Sequence, residues 1–149
     1  MAVTSLDEIL QTNAPQEIVL SGFQPGEELR VLVRRPGFYS LMARGAIPNP
    51  LIPEMEKLFV HRDCGSYAVP SEEFAETLVY IARMSLVSPS YEELQANGIE
   101  LTDDQLVEIS MYAAAGAEAL RTFRERLRAA AGEYGPDVSN AAQQIAADR

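Results

Sequence analysis

One cysteine, one histidine and no long apolar run stand among the 149 residues of this chain. A lone Cys64 excludes an internal disulfide framework and suits a reducing compartment. No stretch approaches the ~18 consecutive apolar residues of a membrane helix. Met1 to Glu8 carries acidic residues where a secretory signal needs a basic start and an apolar run, so the expectation is a protein that stays where it is made. Basic residues are also scarce: 12 Lys and Arg against 22 Asp and Glu give a formal charge of −10. Phosphate backbones and anionic membranes repel such a chain, and neither nucleic acid nor membrane is an expected partner. The glycines never form G-x-G-x-x-G or G-x-x-x-x-G-K-[ST], which removes the usual phosphate-cradling loops.

What is present is the composition of a folded domain. Hydrophobic residues make up 47% and charged residues 23%, enough to build a core without disulfides or a structural metal. Ser5 with Glu8 reads as a capping box opening a short helix that carries Leu6, Ile9 and Leu10, ended by Asn13 and Pro15. The runs 17–20 and 29–33, separated by Gly22, Pro25 and Gly26, read as a β-hairpin. Leu29, Val31 and Val33 share one face of the second strand, and two strands alone need helices to cover that face. A short helix follows over 38–44 with Gly45 as its stop.

Ile47-Pro48-Asn49-Pro50-Leu51-Ile52-Pro53 holds three prolines, each of which removes an amide donor and fixes φ. The expectation is a stiff, extended connector with apolar side chains, then a short helix with Met55, Leu58 and Phe59 on one side. Residues 72–87 form a wide apolar stripe and predict a central core helix, which Pro89 stops. Ser90 with Glu93 caps another short helix closed by Gly98, and Thr102 with Gln105 caps a last one, with Asp103 and Asp104 in its first turn. That last helix is expected to run unbroken from about Asp103 to about Ala131. Leu106, Ile109, Ala113, Gly116, Leu120, Phe123, Leu127 and Ala130 recur in steps of three and four, the spacing of a seam that faces a partner helix. The small residues 113–117 at its centre would admit a close backbone.

Catalytic chemistry finds little support. His61-Arg62-Asp63-Cys64 combines a base, a carboxylate and a thiol, and its first three residues occur in the protein kinase catalytic loop. The glycine-rich loop, β3 lysine and Asp-Phe-Gly motif of that fold are missing. Zinc fails on ligand count, since structural sites usually need four and no Cys-x-x-Cys is present. The paired acids at Glu92-Glu93 and Asp103-Asp104 sit at helix starts, where capping and the helix dipole account for them. Arginines gather at Arg30, Arg34, Arg35 and Arg44, and again at Arg121, Arg124, Arg126 and Arg128. The second group suits the C-terminal part of a helix, with Glu118 and Glu125 as pairing partners. No enzyme, cofactor or metal is expected.

Four stretches resemble, in order, motifs of the tail assembly chaperones of long-tailed siphophages and related prophages, especially of Gram-positive hosts. Leu41-Met42-Ala43-Arg44-Gly45-Ala46-Ile47-Pro48-Asn49-Pro50-Leu51 looks like the family's short helix, Gly and Ile-Pro-Asn-Pro-Leu. Leu86-Val87-Ser88-Pro89-Ser90-Tyr91-Glu92-Glu93 is similar to its Val-x-Pro-Thr-Tyr-Glu stretch, with Ser90 in place of Thr. Leu101 to Leu106 resembles its Leu-Thr-Asp-Glu-Gln helix start, and Gly116 to Arg124 its Gly-Gly-Val-x-x-Leu-x-x-Phe-Arg stretch, with Ala117 replacing the second Gly. The likeness spans about residues 16 to 125. It implies a protein of the host cytoplasm, absent from the mature virion, that binds the tape measure protein, keeps it soluble and helps recruit major tail protein. The alternative is a small structural tail or head-tail completion protein retained in the virion.

These readings give an α+β, predominantly α-helical fold, with an N-terminal β-hairpin packed on a helical core and one long C-terminal helix. A single domain over 1–135 carries a mobile tail over 136–149. The expected partner-binding residues are Ile47, Pro48, Asn49, Pro50 and Leu51 in the proline segment, and Ala113, Gly116, Leu120 and Phe123 on the seam. A homo-oligomer is compatible with that seam.

Overall fold

The computed structural model describes residues 2–62, 67–68 and 71–134, the last five as backbone only. The expected tail and the pair Asp63 and Cys64 lie outside them. Among the described residues, seven α-helices, one 3-10 turn and three strands follow one another, giving the expected α+β, mostly helical class.

The first helix, α1 (Leu6–Thr12), starts where Ser5 Oγ accepts from the Glu8 amide at 3.2 Å. None of its residues is buried. Strands β1 (Gln16–Ser21) and β2 (Glu28–Val33) then pair antiparallel, with Gln16 opposite Val33 and Ser21 opposite Glu28. Their loop closes through the Gly22 amide on the Glu27 carbonyl at 2.7 Å. A Cβ at Gly22 would stand 2.8 Å from the Glu27 carbonyl carbon, so this close backbone approach requires glycine.

The hairpin gains a third strand that hydrophobic periodicity assigns to a helix. Helix α3 is Ile52–Phe59, and the core helix α4 (Glu72–Ser85) stops at Ser85 instead of running through 87. Leu86–Ser88 turns extended as β3 and pairs antiparallel with β2, Leu86 opposite Val33 and Ser88 opposite Leu32, with a register irregularity between them. Two causes act together: Pro89 biases the residue before it away from helical angles, and β2 offers an unpaired edge. The Arg34 amide also donates to the Ser85 carbonyl at 2.8 Å, which fixes the junction. Sheet order is β1-β2-β3.

The proline segment is not an extended connector. After α2 (Phe38–Ala43), Asn49–Leu51 forms the 3-10 turn and leads directly into α3, whose first turn contains Pro53. A helix's first amides need no intrahelical acceptor and proline's φ suits that position, so its ring ends helices yet also begins them. Ile47 and Leu51 point into the core, each 5% exposed.

Helix α5 (Tyr91–Ala96) is capped by Ser90 as its sequence predicts. The expected single C-terminal helix is two: α6 (Asp103–Ala115) and α7 (Ala117–Tyr134), separated by Gly116 at φ +97° and ψ 175°. That conformation is essentially confined to glycine, and it reverses the chain without a loop. Arg124 of α7 comes back to within 3.3 Å of Glu108 of α6, so the helices run antiparallel as a hairpin. Ile18, Leu20, Val31 and Val33 from the inner face of the sheet share one core with Ile81 of α4, Ile109 and Tyr112 of α6, and Leu120 of α7. No helix among the described residues is long and apolar enough to cross a membrane.

Candidate interaction surface

His61 sets its Nε2 3.3 Å from Glu56 Oε1, and both side chains are exposed. Among the described residues, no group of three His, Cys, Asp or Glu side chains is placed to hold a metal.

The polar chemistry that is buried lies elsewhere. Gln105 and Glu108, one turn apart on α6, are both fully inaccessible. Gln105 completes the predicted capping box, its Oε1 accepting from the Thr102 amide at 3.0 Å, while its Nε2 donates to the Ser21 carbonyl at 2.9 Å. The Ser21 amide and hydroxyl donate to the two Glu108 carboxylate oxygens at 2.9 and 3.0 Å. Burial pushes the Glu108 carboxyl above its ordinary pKa, opposed by the Ser21 bonds and the Arg124 guanidinium and reinforced by nearby Asp104. The cluster ties the end of edge strand β1 to both helices of the hairpin. Its polar groups are turned toward one another and hold strand and helices together. The burial of Glu108 follows from Ser21 and Arg124, partners distant in the chain, which no local pattern in α6 marks.

The nine residues expected to bind a partner are used differently by the two segments. Ile47, Leu51, Ala113 and Leu120 are buried in the same hydrophobic cluster. Pro48, Asn49 and Pro50 remain exposed, and Phe123 is half-buried. At the small-residue stretch the approaching group is the Arg35 side chain. Its Nε donates to the Ala113 carbonyl and its Nη2 to the Ala114 carbonyl, each at 3.2 Å. Two of the last carbonyls of α6, which lack helical partners, are thereby satisfied.

A concave surface opens between α4, α5 and α6. Val79 of α4, Tyr91 of α5, Ile99 and Leu101 of the connector, and Leu106 of α6 surround a groove of about 440 Å³ together with the polar Gln95 and Glu100. Each keeps part of its side chain accessible, Ile99 as much as 40%. Arg83 reaches over the Tyr91 ring, its Cζ 5.0 Å from the centroid, and holds one wall in place. None of the nine residues expected to bind a partner lines this groove, although Leu106 of the expected seam does. The groove is built where α4 meets the continuous run from α5 to α6, with apolar side chains only partly covered, a property that one helix's periodicity does not reveal.

Comparison of the chain with known protein families, curated proteins and solved structures finds no match.

Proposed function

We propose that this chain is a phage tail assembly chaperone, a non-catalytic protein that binds the tape measure protein, keeps it soluble and assists tail tube polymerisation with major tail protein. It works in the host cytoplasm and is left out of the finished particle. The observation that carries this reading joins sequence to surface. Two of the four family-like stretches contribute Tyr91, Leu101 and Leu106 to the groove. A protein that shields an apolar helix needs such a concavity, wide enough for side chains and lined by partly exposed apolar groups. The buried acid of the fold is spent on holding strand to helix, which suits a binding scaffold.

The test is co-expression with a tape measure protein encoded beside such a chaperone. The tape measure protein is expected in the soluble fraction with the chain and in the pellet without it; a pellet in both cases refutes the proposal. Mass spectrometry of purified particles separates the alternative, a structural tail or head-tail completion component. The chaperone is absent there, whereas a structural component is present in fixed copy number.

A further inference from the structure

The groove between α4, α5 and α6 mixes apolar side chains with Gln95 and Glu100, and further acids stand on the elements beside it. On α4, Glu72, Glu76, Val79 and Arg83 follow in steps of four, three and four, which puts the two glutamates on the same face as the groove residue Val79. Glu100 lines the groove, and Asp103 stands exposed at the start of α6 just beyond Leu101. Arg83 is the single cation of α4, and its guanidinium lies over the Tyr91 ring.

We propose that this groove seats an amphipathic helix of another protein whose apolar stripe is flanked by lysines or arginines. Its apolar side chains pack on those of the groove while the flanking cations meet Glu76 and Glu100, the helix-in-groove mode with charge selecting the partner. Two nearer occupants fit less well. The chain's own α1 has an apolar stripe, but Asp7 and Glu8 flank it and it carries no basic residue. A second copy carries a formal charge of −10, and its arginine-bearing α7 already buries Leu120 and Leu127 in its own fold. The proposal deepens the chaperone reading by assigning its docking face and the chemistry of the segment held, and for its biological meaning it rests on that reading.

The experiment uses the full chain and two fluorescent synthetic peptides of about 18 residues, long enough for marginal helix formation. Both carry leucines at i, i+3, i+4 and i+7; one is flanked by lysines, the other by glutamates. Anisotropy titrations at about 0.01 M salt, where charges act over ~30 Å, are expected to show the lysine peptide binding at least about tenfold more tightly. The preference collapses at about 1 M salt, where that reach is ~3 Å. Glu76→Lys with Glu100→Lys inverts the preference, and Ile99→Lys abolishes binding of the lysine peptide; all three positions are exposed, so the fold is retained.

Equal affinity for the two peptides, no binding of either, or wild-type binding by Ile99→Lys overturns the proposal. So does a sedimentation result in which the chain is a dimer that Ile99→Lys dissociates, since a second copy would then be the occupant. The chaperone reading fails separately. If wild type and Ile99→Lys solubilise the tape measure protein equally, the groove is the wrong face and the chaperone stands. If the lysine peptide binds as described but the tape measure protein stays insoluble, the groove stands and the chaperone reading falls.

Discussion

Glu108 and Arg124 lie at equal sequence distances on either side of Gly116, and their side chains meet at 3.3 Å. The pair therefore measures the fold-back of α7 onto α6: each residue finds the other only because the chain reverses at the glycine. Glu108 is fully buried and the Arg124 side chain is 16% exposed, so the pair is largely shielded from water.

Replacing Gly116 by alanine forces an L residue into φ +97° and ψ 175° and brings a Cβ to 3.4 Å from Arg35 Nη1. The expected cost is about 1–3 kcal/mol of stability, read by urea unfolding. Gly116→Leu should cost more, because its side chain adds bulk beside Arg35. An alanine variant as stable as wild type would mean that the hairpin tolerates another backbone at this point.

Arg35→Ala removes both donors to the Ala113 and Ala114 carbonyls. A loss of roughly 1–2 kcal/mol is expected from two hydrogen bonds made by a charged group near a helix C-terminus. Lysine at this position should restore less than half, since an ammonium lacks the planar fork that reaches two carbonyls together. Thermal melts of the three proteins check the order.

Glu108 gives the chain a defined pH signature. Its folded carboxyl titrates above the ordinary value of 4.5, chiefly because it is buried, so the folded state holds its proton to higher pH than the unfolded state does. Stability from this group is consequently lost as pH rises from near 4.5 to the raised folded value, and stays level above it. The difference in unfolding free energy between wild type and Glu108→Gln should fall with pH across that window. A difference that is flat or rises there contradicts the assignment. Glu108→Ala is the harsher change: it leaves Arg124 and the Ser21 amide unpaired, at a cost of about 3 kcal/mol.

Ser85 offers an opposite test. Its hydroxyl is buried at the junction of α4 and β3, with no hydrogen-bond partner among the described residues. Ser85→Ala deletes that unsatisfied group and leaves the chain path unchanged, so a gain of up to about 1 kcal/mol is expected in chemical denaturation. Destabilisation by the same change would show that the hydroxyl is paired in solution.

Helix α1 buries nothing, although Leu6 and Leu10 are 69% and 60% exposed apolar residues. The double change Leu6→Lys and Leu10→Lys should shift stability by no more than about 0.5 kcal/mol. A larger loss in the isolated chain would mean that this helix packs on its own body.

Local chemistry explains what could be read in advance. Capping boxes, hairpin turn residues and the positions of glycine and proline act within a few residues, so Ser5, Ser90 and Thr102 began helices where their side chains can reach backbone amides. The α+β class, the hairpin, the inward face of β2 and the core helix α4 follow from such patterns. The sequence by itself also determined the acidic charge, which on average repels polyanions. Tertiary structure decided the rest. Leu86 and Val87 became a strand because β2 presents an open edge, a competitor invisible to helical periodicity. The regular seam continues across Gly116 in sequence but folds back on itself in space, because a stripe repeated every three or four residues serves a straight helix or a reversed pair equally well. Glu108 was drawn inside by Ser21 and Arg124, and the groove arose where α4 and the run from α5 to α6 left apolar flanks partly uncovered. Each of these depends on contacts between residues distant in the chain, and only the assembled fold sets those distances.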